Sequence, residues 1–221
     1  MKQRSINLTF HGIGEPGRDL EPGEDDVWVT RAAFHAILDS VADRDDVRIT
    51  FDDGNVSDVE HALPALSERG LHATFFVVAG RIGQPGFLDR DDIRTLAGAG
   101  MTIGCHGLRH RPWRDLDDRE LRREHFDARR LLEEIVERPV DEVACPFGSY
   151  DRRVLGSLRR ARYRTVYTSD RGATTAQNWI QPRNTVGSHD DGRLLARIVS
   201  DQGRRSTAVR RHAKQAVKRW R

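Results

Sequence analysis

Seven short runs rich in β-branched and aromatic residues alternate with amphipathic helical patterns, and this alternation limits the fold more than any other feature of the chain. The runs fall at residues 6–10, 47–51, 73–78, 101–105, 142–145, 164–167 and, more weakly, 180–186. Thr30 reads as the N-cap of a helix through Phe34, Ile37, Leu38 and Val41, whose spacing is near 3.6. Ser57 with Glu60 has the pattern of a capping box, and Gly70 ends that helix. Asp117 with Glu120 repeats the pattern and opens a helix reaching about Arg138, before Pro139. Further helices are expected over residues 152–160 and 193–199. Strands joined through helices over short connections build a parallel sheet with the helices outside. Seven such units predict an α/β barrel, small or incomplete, with an open doubly wound sheet as the alternative. A dinucleotide loop is not expected, because Gly12-Ile13-Gly14 leads into Glu15-Pro16-Gly17, which does not open a helix.

In a barrel of this kind the chemistry belongs at the C-terminal ends of the strands. His11 follows the first run, Asp52-Asp53-Gly54 the second, His106 and His110 the fourth, Pro146-Phe147-Gly148 the fifth and Asp170 the sixth. Adjacent residues at a strand end point different ways, so one carboxylate of the Asp52-Asp53 pair can bind a metal while the other stays free as a base. A turn would use the same Asp-Gly dipeptide. Two imidazoles four residues apart can meet one ion if the segment turns helically. One Asp and two His leave a coordination position open for water, which is the pattern of a catalytic metal site.

These residues carry a resemblance. The run Ile49-Thr50-Phe51-Asp52-Asp53-Gly54 resembles the T-F-D-D-G motif of the polysaccharide deacetylases, the NodB-homology domain of carbohydrate esterase family 4. His106-x-x-x-His110 is similar to their H-x-x-x-H motif. Ala144-Cys145-Pro146-Phe147-Gly148-Ser149-Tyr150-Asp151 resembles the third motif, and Leu8-Thr9-Phe10-His11-Gly12-Ile13 the segment that begins many members. The resemblance spans residues 6–190 and implies a distorted (β/α)7 barrel of the NodB-homology type. It implies one divalent metal ion, zinc first and cobalt, nickel or manganese after it, held by Asp53, His106 and His110. Asp52 would then be the general base, and the Phe147 N–H would hold the oxyanion.

The chain departs from that pattern twice. The third motif often begins with an Arg that orients the base, and Ala144 stands there. Arg183, expected at the end of the last strand, is the candidate replacement, with a surface charge as the competing reading. The general acid is a late His in many members, and Val186-Gly187-Ser188-His189-Asp190 matches that segment weakly. His189 and His11 are both candidates, and Asp170 is a candidate to orient whichever acts. Trp113 is a candidate wall for a sugar ring, with loop packing as the alternative. Cys105 and Cys145 read as small buried side chains beside the site. Two cysteines make no disulfide framework, which favours a cytoplasmic chain with reduced thiols.

Charge separates the chain into two parts. Its 221 residues carry 37 Lys+Arg against 34 Asp+Glu, a net +3. Eight of the positive charges, Arg204 to Arg221, lie beyond Asp201, the last acidic residue, so residues 1–203 carry −5. Residues 1–203 are therefore expected to form the catalytic domain, and residues 204–221 a basic amphipathic tail with Val209, Ala213, Ala216, Val217 and Trp220 on one stripe. Such a tail can lie on an anionic membrane surface or meet a lipid carrier. Nucleic acid is not expected as a partner. No stretch approaches 18 apolar residues, and the run at residues 6–10 is too short for a secretory leader. The expectation is a cytoplasmic N-deacetylase acting on an acetamido sugar or oligosaccharide, peripheral on the inner membrane face if the tail binds lipid. Alternatives are an O-acetyl esterase, a non-sugar amide hydrolase, or an inactive binding protein on the same barrel.

Overall fold

The computed structural model describes residues 4–202. The tail at 204–221, with its expected membrane contact, lies outside the described residues. Seven parallel strands close into a barrel, as the alternation requires. They are β1 (Arg4–Phe10), β2 (Val47–Asp53), β3 (Ala73–Val77), β4 (Thr102–Cys105), β5 (Glu142–Ala144), β6 (Thr165–Thr168) and, last in sequence, β8 (Ile180–Thr185). Each pairs with the next, and β8 and β2 both flank β1, which completes the circle. The seam between β4 and β5 is the thinnest, held at Cys105 opposite Val143. A short strand missing from the sequence reading, β7 (Ala173–Thr175), runs antiparallel to the start of β1. Its Ala-Thr-Thr sequence has too few large apolar residues to stand out.

Strand alternation sorts the side chains into two layers. On β1, Ile6, Leu8 and Phe10 face the helices, while Asn7 and Thr9 face the barrel interior, where Thr9 meets Thr50 at 2.9 Å. On β2, Ile49 and Phe51 face outward and Thr50 and Asp52 inward. The outer layer contains a stack of Phe10, Phe51 and Phe75 with centroids 5.4 and 4.6 Å apart, and Phe34 of α1 (Arg31–Val41) packs edge-on. Each such fully buried side chain contributes about 1.5–3 kcal/mol. The interior is mostly polar, with a small apolar cluster of Phe76, Ala144 and Tyr167.

The helices follow the sequence signals with two exceptions. Thr30 caps α1 by accepting the Ala33 N–H. Asp117 and Glu120 form the expected capping box at α4 (Asp118–Arg122). That helix passes through a π-helical turn, Arg123–Asp127, into α5 (Ala128–Val136). The helix α6 (Arg152–Arg160) matches its expected bounds, and α7 (Leu194–Gln202) runs slightly past its own. Ser57 does not cap. Its Oγ accepts the Ile13 N–H instead, and Asp58–Ala62 forms a second π-helical turn before α2 (Leu63–Glu68). The helix α3 (Arg90–Gly98) was not anticipated, although Asp89 and Asp92 cap it reciprocally.

Candidate metal centre at the barrel mouth

Asp52 and Asp53 end β2, and the backbone separates them. Asp52 keeps the strand alternation and points into the barrel. Arg183, brought beside it by β8, donates to both its oxygens, Nη1 to Oδ1 at 2.5 Å and Nη2 to Oδ2 at 2.7 Å. The guanidinium also lies over the Phe76 ring at 5.2 Å. The position that Ala144 leaves open is thus filled from another strand. Burial alone would raise the Asp52 carboxyl, but Arg183 and then His106 outweigh it and hold the group below the usual carboxylate range. Both partners are within 5% of full burial, so the pair is screened little by solvent.

Asp53 has φ 75°, and this left-handed turn takes its carboxylate out of the strand register toward the mouth. His110 Nε2 lies 3.2 Å and His106 Nε2 3.6 Å from Asp53 Oδ1. The three side chains can offer ligand atoms all within 4.8 Å of one another. His106 Nδ1 donates to the Ala144 carbonyl at 3.0 Å, which fixes the tautomer and leaves Nε2 with its lone pair facing Asp53. Burial lowers the His106 pKa to about 4, so the imidazole is neutral, as a metal ligand must be. Asp53 Oδ1 is buried and accepts no hydrogen bond. An acceptor left open between two imidazoles, with the tautomer of one fixed, fits a divalent cation.

Other groups crowd the mouth. Asp58 is fully buried with no hydrogen-bond partner for either oxygen, and burial, then the charges of Asp53 and Asp52, push its pKa up. His11 follows β1 at the same mouth, and its Nδ1 is buried without a partner. Phe147, at φ 56° on the Pro146–Gly148 turn, is 63% exposed, with its ring centroid 4.5 Å from that of His110. The segment between β1 and α1 builds a wall: Arg18 is bidentate to Glu24, bonds Asn55 at 3.0 Å, and stacks on Phe87 at 4.4 Å.

The structure corrects one expectation, that of Trp113, and places two further candidates, Asp170 and His189. Trp113 is fully buried, its ring beside Gly107 and His125, and it offers no face to a sugar. Asp170 accepts from Tyr150 Oη at 2.6 Å and Thr168 Oγ1 at 3.0 Å, a cross-link at the end of β6. His189 is exposed on a turn packed on Asp26, and the site's hydrogen bonds and ion pairs do not include it. Cys105 and Cys145 are both fully buried, as read from the sequence. The sequence reading missed Glu124, which is buried under the His106–His110 loop. A polar Glu124-His125 pair interrupting the apolar stripe of Leu121, Ala128, Leu132 and Ile135 was the signal for it.

Fold and site together define a parallel α/β barrel protein with an Asp-His-His candidate metal centre at its mouth. Residues 39–166 match the family model for polysaccharide deacetylase, and the chain belongs to that family. A Bacillus subtilis (strain 168) protein named "Putative polysaccharide deacetylase YxkH" is 26% identical over 129 residues, covering 58% of this chain and 46% of that protein. The chain thus spans about half the length of that curated relative. The fold is similar to the Streptococcus pyogenes deacetylase PplD in complex with acetate, with TM-score 0.79 and 19% identity over 90% of this chain and 99% of that one. It is also similar to BC0361, a polysaccharide deacetylase from Bacillus cereus, with TM-score 0.79, 18% identity, and coverage of 90% and 69%.

Proposed function

We propose that the chain is a metal-dependent hydrolase that removes an N-acetyl group from an acetamido sugar or a sugar-containing precursor. The observation that carries this is the convergence of Asp53, His106 and His110 on one buried, unpartnered carboxylate oxygen at the mouth. These three residues would hold the divalent cation, zinc first. When bound, the ion would lower the pKa of a water toward neutrality and polarise the acetyl carbonyl.

Asp52 takes the proton from the attacking water. Its bidentate contact with Arg183 uses two of about four lone-pair sites on the carboxylate, which leaves acceptor capacity toward the mouth. Arg183 keeps it ionised and aimed. The water oxygen bonds the acetyl carbon, and the Phe147 N–H donates to the oxyanion that results. As the C–N bond breaks, the amine takes a proton from His11, and acetate and a free amino sugar leave. His11 is favoured over His189 because it follows β1 at the mouth, whereas His189 is exposed on a turn. The exposed Phe147 ring offers an apolar face to the sugar.

An acetate-release screen over N- and O-acetylated sugars, with added Zn²⁺ or Co²⁺, tests this. Release from N-acetylated sugars by the wild type, abolished in Asp53→Ala, is expected. Release from O-acetylated substrates alone would make the chain an esterase, and wild-type rates in Asp53→Ala would remove the metal from the reaction.

A further inference from the structure

The His106–His110 loop turns through two left-handed residues, one of them the non-glycine His110. Gly107 has φ 87° and His110 φ 52°, so the loop needs support to hold its two imidazoles toward Asp53. That support comes from a helix far along the chain. Glu124 Oε2 accepts the N–H of Leu108 at 2.9 Å and of Arg109 at 3.1 Å. Glu124 is 3% exposed, so the accepting carboxylate is buried beneath the loop. Glu124 lies in the π-helical turn Arg123–Asp127 between α4 and α5. Such a turn inserts a residue into the helix and re-aims its neighbours, often at functional sites. The fit is close: a Cβ on Gly107 would come 2.8 Å from Glu124 Oε2 and 3.4 Å from the Trp113 ring.

We propose that Glu124 is the positioning residue of the metal centre, clamping the Leu108 and Arg109 N–H groups so that His106 and His110 face Asp53 before the ion arrives. This rests on the metal-site reading above. The clamp works by hydrogen-bond acceptance at one oxygen, so the amide oxygen of a glutamine serves in its place, whereas the shorter aspartate does not reach. Partners that orient metal ligands are worth about 10–100-fold in affinity.

The test is the zinc affinity of the purified chain, measured by competition with a chromophoric chelator, for wild type, E124Q, E124D and E124A. Thermal unfolding in excess chelator runs in parallel. E124A and E124D are expected to bind zinc about 10–100-fold more weakly, and E124Q within a few-fold of wild type. A general loss of packing would lower the unfolding temperature in chelator along with the zinc affinity, whereas loss of the clamp falls mainly on the affinity. If E124A does not fold, E124D against E124Q gives the same comparison. Wild-type affinity in E124A or E124D would overturn the proposal, as would a loss in E124Q equal to that in E124D, which would mean that the charge matters and the clamp does not. If the wild type itself binds no zinc, the metal-site reading fails rather than the clamp.

Discussion

The barrel interior and the barrel mouth are made from the same strands but satisfy their polar groups differently. Below the mouth, side chains pair across strands: Thr9 with Thr50, Asn7 with Gln181, Asp52 with Arg183 through two bonds. Arg183 Nε is an exception. At the mouth, Asp53 Oδ1, His110 Nδ1, His11 Nδ1 and both oxygens of Asp58 are buried without partners. Leaving a buried polar group unpaired costs about 1–3 kcal/mol. The interior contacts therefore stabilise the barrel, while the mouth carries a stability cost that fits a site made to meet something other than itself. Three residues with left-handed φ, Asp53, His110 and Phe147, cluster at the mouth as well.

If that contrast is right, equivalent substitutions act on different properties in the two regions. The largest effect is expected at Asp53. Asp53→Ala should abolish measurable zinc binding, since even outer partners of a metal are worth about 10–100-fold. Its stability in chelator should fall by less than about 1 kcal/mol, or rise, as for other residues held in strained functional sites. Zinc titration and urea unfolding of the same preparation check both halves. A strongly destabilised Asp53→Ala would break the comparison.

Arg183→Met is expected to do the reverse. It leaves the Asp52 charge buried and uncompensated, at a cost of about 3–5 kcal/mol at pH 7. The sign reverses with acid. In the wild type the Asp52 pKa lies below its unfolded value of about 3.9, so its contribution is full above that pH and fades as pH falls through the depressed value. In the variant, burial raises the pKa instead, so the penalty is relieved as pH falls and Asp52 takes up a proton. Urea unfolding at pH 7 and pH 4.5 should show the gap between variant and wild type narrowing in acid. A constant gap would mean that Arg183 acts through its packing on Phe76 and Tyr167 alone.

Much of this was legible in the sequence, for reasons that differ by region. Strand parity sends Asp52 and Asp53 different ways, and the runs ending at Phe51 and Cys105 set Asp53 and His106 at the same end of the barrel. Arg183 was readable because a strand end had to supply what Ala144 could not. Trp113 was misread, because an aromatic just after a ligand looks the same in sequence whether it faces solvent or supports the loop from below. Ser57 was misread because a capping pattern carries no information about a competing donor elsewhere in the chain, here the Ile13 N–H. Glu124 was overlooked because its partners are backbone N–H groups 15 and 16 residues away, so the break in the apolar stripe shows that it is unusual but not what it binds.

The smallest expected effect lies behind the mouth, at His125, next to Glu124. Its Nε2 meets Ser157 Oγ at 2.9 Å, and its ring is 1% exposed. Burial first, then Arg122, Arg129 and Arg160, lowers its pKa to about 4. The folded value thus lies below an unfolded value of about 6.5. Its contribution is full above pH 6.5 and is lost between about 6.5 and 4, at most about 3 kcal/mol. The Asp52–Arg183 contribution fades only below about pH 4, so the two regions are expected to lose stability in separate pH windows. Urea unfolding of the chelator-treated chain across pH 7 to 4 should show a decline, to which the buried His106 also contributes, that His125→Gln makes shallower. A decline of unchanged slope in His125→Gln would move the titrating group to another residue and leave His125 a packed neutral ring with no part in the pH response.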